Sequence, residues 1–174
     1  MKLVIFCIVF LMLFSACSVT EQAGDKVIKD IFVFGDDTVI TIDRGPCSGQ
    51  CPAYRLSINA DGSVKFEGRE HTIGKAEDKI SPSEVKRLIE QANSIGFLQL
   101  EDSYNAANCP SYATDSSTVN ITITSSGRSK TISHYLGCSD PNGGIGSFPP
   151  GLSDLSDGIA KTADVSRWFK FTRK

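Results

Sequence analysis

Cysteine is the residue type whose spacing says most about chemistry in this chain. Cys47 and Cys51 flank a short turn in Gly45-Pro46-Cys47-Ser48-Gly49-Gln50-Cys51-Pro52, and Cys109 and Cys138 stand alone further on. Cysteines serve redox exchange, metal binding or cross-linking, and spacing separates the three. A thioredoxin-type centre uses C-x-x-C beside a βαβ pattern, and the C-x-x-x-C here has neither feature. A zinc site would show two close pairs, and only two histidines are present to supplement the thiols. Structural disulfides are the reading left standing. Four cysteines permit three pairings. The Gly and Pro residues around 47 and 51 already favour a bend and so a Cys47–Cys51 bond. Cys109–Cys138 then closes a long loop, worth about 3 kcal/mol or somewhat more in the chain-entropy model. No metal and no cofactor is expected.

The remaining polar candidates are His71, His134, Tyr104, Asp115, Ser116 and Ser117. Catalysis needs a nucleophile, a base and an orienting group, or a metal, and no G-x-S-x-G, H-E-x-x-H or P-loop string supplies them. His134, beside Tyr135 in a strand pattern, reads as a hydrogen-bonded cross-strand residue. Thr114-Asp115 reads as the start of a turn before a strand at Val119. Gly143-Gly144-Ile145-Gly146 follows no strand–helix turn, so a flexible loop is favoured over a phosphate cradle. Asp36-Asp37 and the Asp154/Asp157 pair lack the dense oxygen ligands of a calcium loop. No catalytic residue is assigned.

The N-terminus places these groups in a compartment. Lys2 precedes an unbroken apolar run over 3–14, LVIFCIVFLMLF, which is an export-signal pattern. A permanent span needs about 20 apolar residues, and this run gives out at Ser15. The junction Phe14-Ser15-Ala16-Cys17 resembles the bacterial lipobox, with Phe14 where Leu is usual. That resemblance implies removal of residues 1–16 as a signal peptide and acylation of Cys17. Two or three acyl chains hold a protein firmly on a membrane, each buried CH₂ contributing about 0.8 kcal/mol. Ser18 after the cysteine, again by resemblance, permits transfer to an outer membrane. The expected location is the cell envelope on the periplasmic side. Cys7 goes with the signal, and an oxidising compartment lets the other four thiols pair.

The elements that position these residues follow from composition and period. With 174 residues, 40% hydrophobic, 22% charged and net charge -2, the chain is sized for one folded domain and lacks the basic stripe of a nucleic-acid binder. Residues 17–29 are polar and aperiodic, a tether, and 30–174 form a single domain. Residues 31–34 and then Val39, Ile40, Thr41 and Ile42 read as strands. Tyr54, Leu56 and Ile58 alternate with polar residues, Asp61-Gly62 turns, and Val64 and Phe66 continue the alternation as a hairpin. Ser81-Pro82-Ser83-Glu84 is a capping box opening a helix with Val85, Leu88, Ile89, Ala92 and Ile95 on one face, ended by Gly96. Val119, Ile121 and Ile123, a turn over 125–128 and a return through Ile132 make a second hairpin. A Gly/Pro-rich loop over 137–148 leads to a last helix after Pro149-Pro150 that carries Leu152, Leu155 and Ile159. Trp168, Phe169 and Phe171 pack over the core. The expected class is α+β, an antiparallel sheet of hairpins with two amphipathic helices on one face, in hairpin–helix–hairpin–helix order.

The string Arg44-Gly45-Pro46-Cys47-Ser48-Gly49-Gln50-Cys51-Pro52-Ala53-Tyr54, followed by Asp61-Gly62 and Phe66-Glu67-Gly68, resembles a bacterial domain-of-unknown-function family. Its opening is R-x-x-C-x-x-x-C-P-x-Y leading into a D-G hairpin. Gly96-Phe97, Tyr104, Thr114-Asp115, His134-Tyr135-Leu136-Gly137, Pro150 and the late Trp168 agree with it over roughly 38–168. The resemblance implies an exported protein or lipoprotein and brings no activity or catalytic residues. The expected function is a membrane-anchored envelope lipoprotein with a non-catalytic binding domain, using the sheet face or the 137–149 loop toward an unknown protein or envelope ligand. The alternatives are a thiol–disulfide protein using Cys47 and Cys51, and an inhibitor-like module for an exported enzyme.

Overall fold

A computed structural model of the chain describes residues 31–170. The signal, Cys17, the whole tether and Phe171 lie outside the described residues. Period-two sequences become strands that bury alternate residues: β1 (Val39–Arg44), β2 (Tyr54–Asn59), β3 (Ser63–Gly68), β7 (Thr118–Ser125) and β8 (Arg128–Tyr135). Their shared core face carries Ile40 and Ile42, Tyr54, Leu56 and Ile58, Val64 and Phe66, and Val119, Ile121 and Ile123, all nearly or fully buried. The opposite face is polar, and Thr122 and Thr131 bond across it at 2.9 Å. With β4 (Lys75–Lys79) and the two-residue β5 (Ser103–Tyr104), they form a seven-stranded sheet in the order β4-β3-β2-β1-β7-β8-β5. Every pairing in it is antiparallel except β5 with β8. A separate two-stranded ribbon pairs β6 (Ser111–Tyr112) with β9 (Cys138–Ser139).

Two helices complete an α+β fold. In α1 (Pro82–Ser94) the expected capping box is present, the Ser81 hydroxyl accepting from Glu84 N and the Glu84 carboxylate accepting from Ser81 N. Val85, Leu88, Ile89 and Ala92 are its buried stripe, and Gly96 follows in the left-handed region at φ 67°. In α2 (Leu152–Thr162) the buried residues are Leu152, Leu155, Ser156 and Ile159. Both stripes join the sheet's apolar face in one core cluster. None of the helices among the described residues is long and apolar enough to cross a membrane.

Three local readings differ from the structure. Residues 31–34 form no strand. Their backbone groups are satisfied by distant side chains instead: Asn93 bonds Phe32 N and O at 2.9 and 2.8 Å, and the Ser125 and Ser126 hydroxyls donate to Val33 O at 2.6 and 2.7 Å. With its backbone already paired, the segment has no need of a ladder. β1 therefore pairs with β2 and β7, far off in sequence. Conversely, the sequence Lys-Ala-Glu-Asp-Lys of β4 shows little alternation, because an edge strand dense in charge buries little and resists further pairing. The element order is accordingly four strands, a helix, five strands and a helix. The 137–149 segment contains β9, where its Cys138 is fully buried.

Candidate functional site

Both disulfides are formed, Cys47–Cys51 with Cα atoms 5.6 Å apart and Cys109–Cys138 with 5.3 Å. They rigidify two of the segments that surround a cleft of ≈ 340 Å³ at one end of the sheet. Arg44 lines that cleft. It continues the core-facing row of β1 after Ile40 and Ile42, between Tyr54 of β2 and Val119 of β7 in register. A guanidinium thus stands where the period calls for an apolar group. Its Nε is buried and has no hydrogen-bond partner.

The chain around Arg44 is held from several directions. Gly45 N donates to Thr118 O at 2.8 Å, and Ser48 N in the disulfide turn donates to Asp115 O at 3.3 Å. The Arg69 guanidinium ties the strand ends together, donating to Arg44 O at 2.9 Å and Tyr54 O at 3.0 Å and pairing with the Asp43 carboxylate. Asp115 sits at φ 70°, a backbone region costly for a residue other than glycine. Behind it Ser116 N donates to the Tyr135 hydroxyl at 3.0 Å, and Tyr135 is stacked on Tyr112 at 4.7 Å. Ser117 is 2% exposed, lines the cleft, and its Oγ is buried without a partner.

The other wall comes from the loop between β9 and α2. Gly146 N donates to Cys138 O at 2.8 Å, and the Ser153 hydroxyl of α2 donates to Gly146 O at 2.7 Å. The loop is brought close by Gly137, where a Cβ would lie 2.1 Å from Ala113 O. Ile145, 72% exposed, stands at the rim, and Asp157 of α2 contributes a second carboxylate. Burial raises the Tyr54 hydroxyl above its ordinary pKa; the Arg44 charge and its side-chain hydrogen bond to that hydroxyl oppose the rise, and Asp157 adds to it. Among the described residues no ion pair within 4.0 Å joins Arg44, Asp115 or Asp157.

The structure therefore gathers Cys51, Asp115, Ser116, Ser117 and Asp157, with Ile145 and Gly146 of the glycine-rich run, from the residues weighed in the sequence and leaves the others elsewhere. His134 is fully buried, its Nε2 2.9 Å from Phe148 O and its ring edge-on to Tyr104. Burial lowers its pKa, and the Phe148 carbonyl acts in the opposite sense. Tyr104 accepts from Glu101 N at 3.0 Å. The backbone of His71 lies beside the C-terminal segment, its O accepting from Lys170 N at 2.7 Å. Asp37 is an anchor: its carboxylate accepts from Gly127 N and Ser126 N at 2.7 and 2.8 Å, and those bonds hold its pKa down. Among the described residues no group of three His, Cys, Asp or Glu residues could hold a metal ion.

Arg44 and Ser153 were missed as site residues by pattern reading, and Asp157 was weighed only as an ion ligand and set aside. The available signal was Arg44 itself, a charge in phase with two isoleucines. Asp157 and Ser153 lie on the polar side of an amphipathic helix, and only the tertiary fold turns that side toward Arg44.

No curated protein matches this chain. Comparison with protein families matches residues 38–160 to a domain of unknown function, DUF6438, a span that contains β1 to β9, most of α2 and every residue of the cleft. The chain belongs to the domain-of-unknown-function family DUF6438.

Proposed function

We propose that this protein is an envelope lipoprotein, anchored through an acylated Cys17 after loss of residues 1–16, and that its folded domain is a non-catalytic binding module whose site is the Arg44 cleft. The observation that carries the binding reading is the pair of unpartnered buried polar atoms on one cleft, Arg44 Nε and Ser117 Oγ. Leaving a buried polar group unsatisfied costs about 1–3 kcal/mol, and two of the four such atoms among the described residues fall on this one cleft, the others being Thr72 Oγ1 and His134 Nδ1. The lipobox-like junction and the two cross-links support the compartment, since disulfides persist where the surroundings oxidise. The R-x-x-C-x-x-x-C-P-x-Y string is read as the segment that builds the cleft, with Arg44 and Cys51 on its wall and Tyr54 beneath.

A second reading, thiol–disulfide exchange at Cys47–Cys51, draws on one observation: Cys51 lines the same cleft and is partly accessible. Alkylation mass spectrometry separates the two readings. A bond that stays closed under mild reductant supports the binding module, and a readily reduced bond with a low-pKa Cys47 thiol supports exchange. Anchoring is tested by fractionation, where Cys17→Ser is expected to release a folded domain from membranes. The binding reading is defeated if cross-linked envelopes give no partner while a substrate screen finds turnover.

A further inference from the structure

The charges around the cleft say what kind of molecule it takes. Arg44 is the single cation on its wall, which also carries two carboxylates, Asp115 and Asp157, and the hydroxyl residues Ser116, Ser117 and Ser153. A lone anion such as phosphate would meet one guanidinium against two like charges, which is a poor match. A lone cation would leave the Arg44 Nε–H and the buried Ser117 hydroxyl without an acceptor. A ligand carrying both signs answers the charges of both kinds on the wall. Arg44 is only partly buried and lines the cleft, and the two terminal nitrogens of a guanidinium form an end-on fork that matches a carboxylate bidentately. A volume of ≈ 340 Å³ lies at the small end of ligand sites, which run from about 300 to 1,000 Å³.

We infer that the cleft binds a small zwitterion, a free amino acid or a dipeptide, with its carboxylate on Arg44 and Ser117 and its ammonium toward Asp115 and Asp157. This ligand class rests on the binding reading above and makes it specific. Asp115 and Asp157 are exposed, so solvent screens their share. Arg44 and Ser117, the more buried pair, supply most of the affinity.

Calorimetric titration of the detergent-solubilised full chain with alanine, alanylalanine, acetate, methylammonium and inorganic phosphate tests it. Alanine or alanylalanine is expected to bind at least about tenfold tighter than acetate or methylammonium, since both charged ends are then engaged. The difference between alanine and alanylalanine tells which length fits. Arg44→Lys, which keeps the charge and loses the fork, is expected to weaken the better zwitterion about tenfold or more. Ser117→Ala, a small truncation that keeps the fold, is expected to weaken it about threefold or more, and Asp157→Asn by less. Acetate or phosphate binding as tightly as the zwitterions overturns the ligand class. So does the absence of zwitterion heat, or unchanged affinity in a folded Ser117→Ala chain. Partner capture from envelopes combined with such a null titration keeps the binding module and removes only the zwitterion.

Discussion

At the β3 side of the sheet, Tyr54, Phe66, Trp168 and Phe169 interlock with ring centroids 5.4 Å (Tyr54–Phe66), 5.8 Å (Tyr54–Phe169) and 4.6 Å (Phe66–Trp168) apart. Arg167 lies over the Trp168 ring at 4.6 Å and pairs with Asp78, while Ile73 N donates to Trp168 O at 2.9 Å. Apolar area is covered there, and the polar groups at its edge are mostly paired. At the end of β1 and β7 the interior is polar, and Arg44 Nε and Ser117 Oγ lack partners. Tyr54 belongs to both regions, its ring in the aromatic stack and its hydroxyl under the influence of Arg44 and Asp157. One unpartnered hydroxyl, Thr72 Oγ1, lies on the aromatic side, and Thr72 does not line the cleft. The contrast teaches that the first region is built from packed rings with paired polar edges, whereas the second keeps polar atoms unpartnered inside the fold, the kind of local cost that the proposed binding role would account for.

The contrast breaks most visibly at Phe66, which is 1% exposed. Phe66→Ala is expected to cost about 3–5 kcal/mol, the usual range for a buried aromatic. Denaturant unfolding measures the loss, and titration under native conditions should find the cleft intact. The next largest effect is at Cys109. Cys109→Ser should cost about 2–5 kcal/mol, and because Cys138 precedes the loop that walls the cleft, it should weaken binding as well. Unchanged melting after reduction would count against that role for the bond.

A smaller, pH-dependent effect comes from His134. Its folded pKa is lowered by burial, so the unfolded chain takes up a proton first as the solution acidifies. The stabilisation from keeping His134 neutral is complete above the unfolded value near 6.5 and is lost as pH falls through the depressed folded value. Melting temperatures measured from pH 7.5 to 5 should fall more steeply for the wild type than for His134→Gln. The smallest effect on stability is at Ser117, where replacing an unpartnered buried hydroxyl by a methyl should leave melting unchanged or slightly raised.

Much of the aromatic region was legible in the sequence, and little of the cleft was. The β2–β3 hairpin announces itself because Asp61-Gly62 is local; Gly62 takes φ 84°, and a Cβ there would lie 1.9 Å from Ile80 O. The start of α1 is equally local, its capping box closing over four residues. Both disulfide pairings followed from turn chemistry and elimination. By contrast, residues 31–34 have the composition of a strand, yet Asn93, Ser125 and Ser126 claim their backbone from 61 to 93 positions away. No window of sequence holds that information. β4 was missed because an exposed edge needs no apolar period. The cleft was missed for the same reason of range: Arg44, Ser117 and Asp157 meet only when β1, β7 and α2 are assembled, and each alone reads as an ordinary polar residue.

Paired melting and titration of the wild-type chain and Ser117→Ala, with and without alanylalanine, tests most directly whether the polar end is built for a ligand. Unliganded melting should be equal or higher in the variant, while ligand raises the wild-type midpoint more and the variant binds at least about threefold more weakly. A variant that melts several degrees lower and takes up the dipeptide as well as the wild type would show Ser117 to be part of the scaffold and would contradict the assignment.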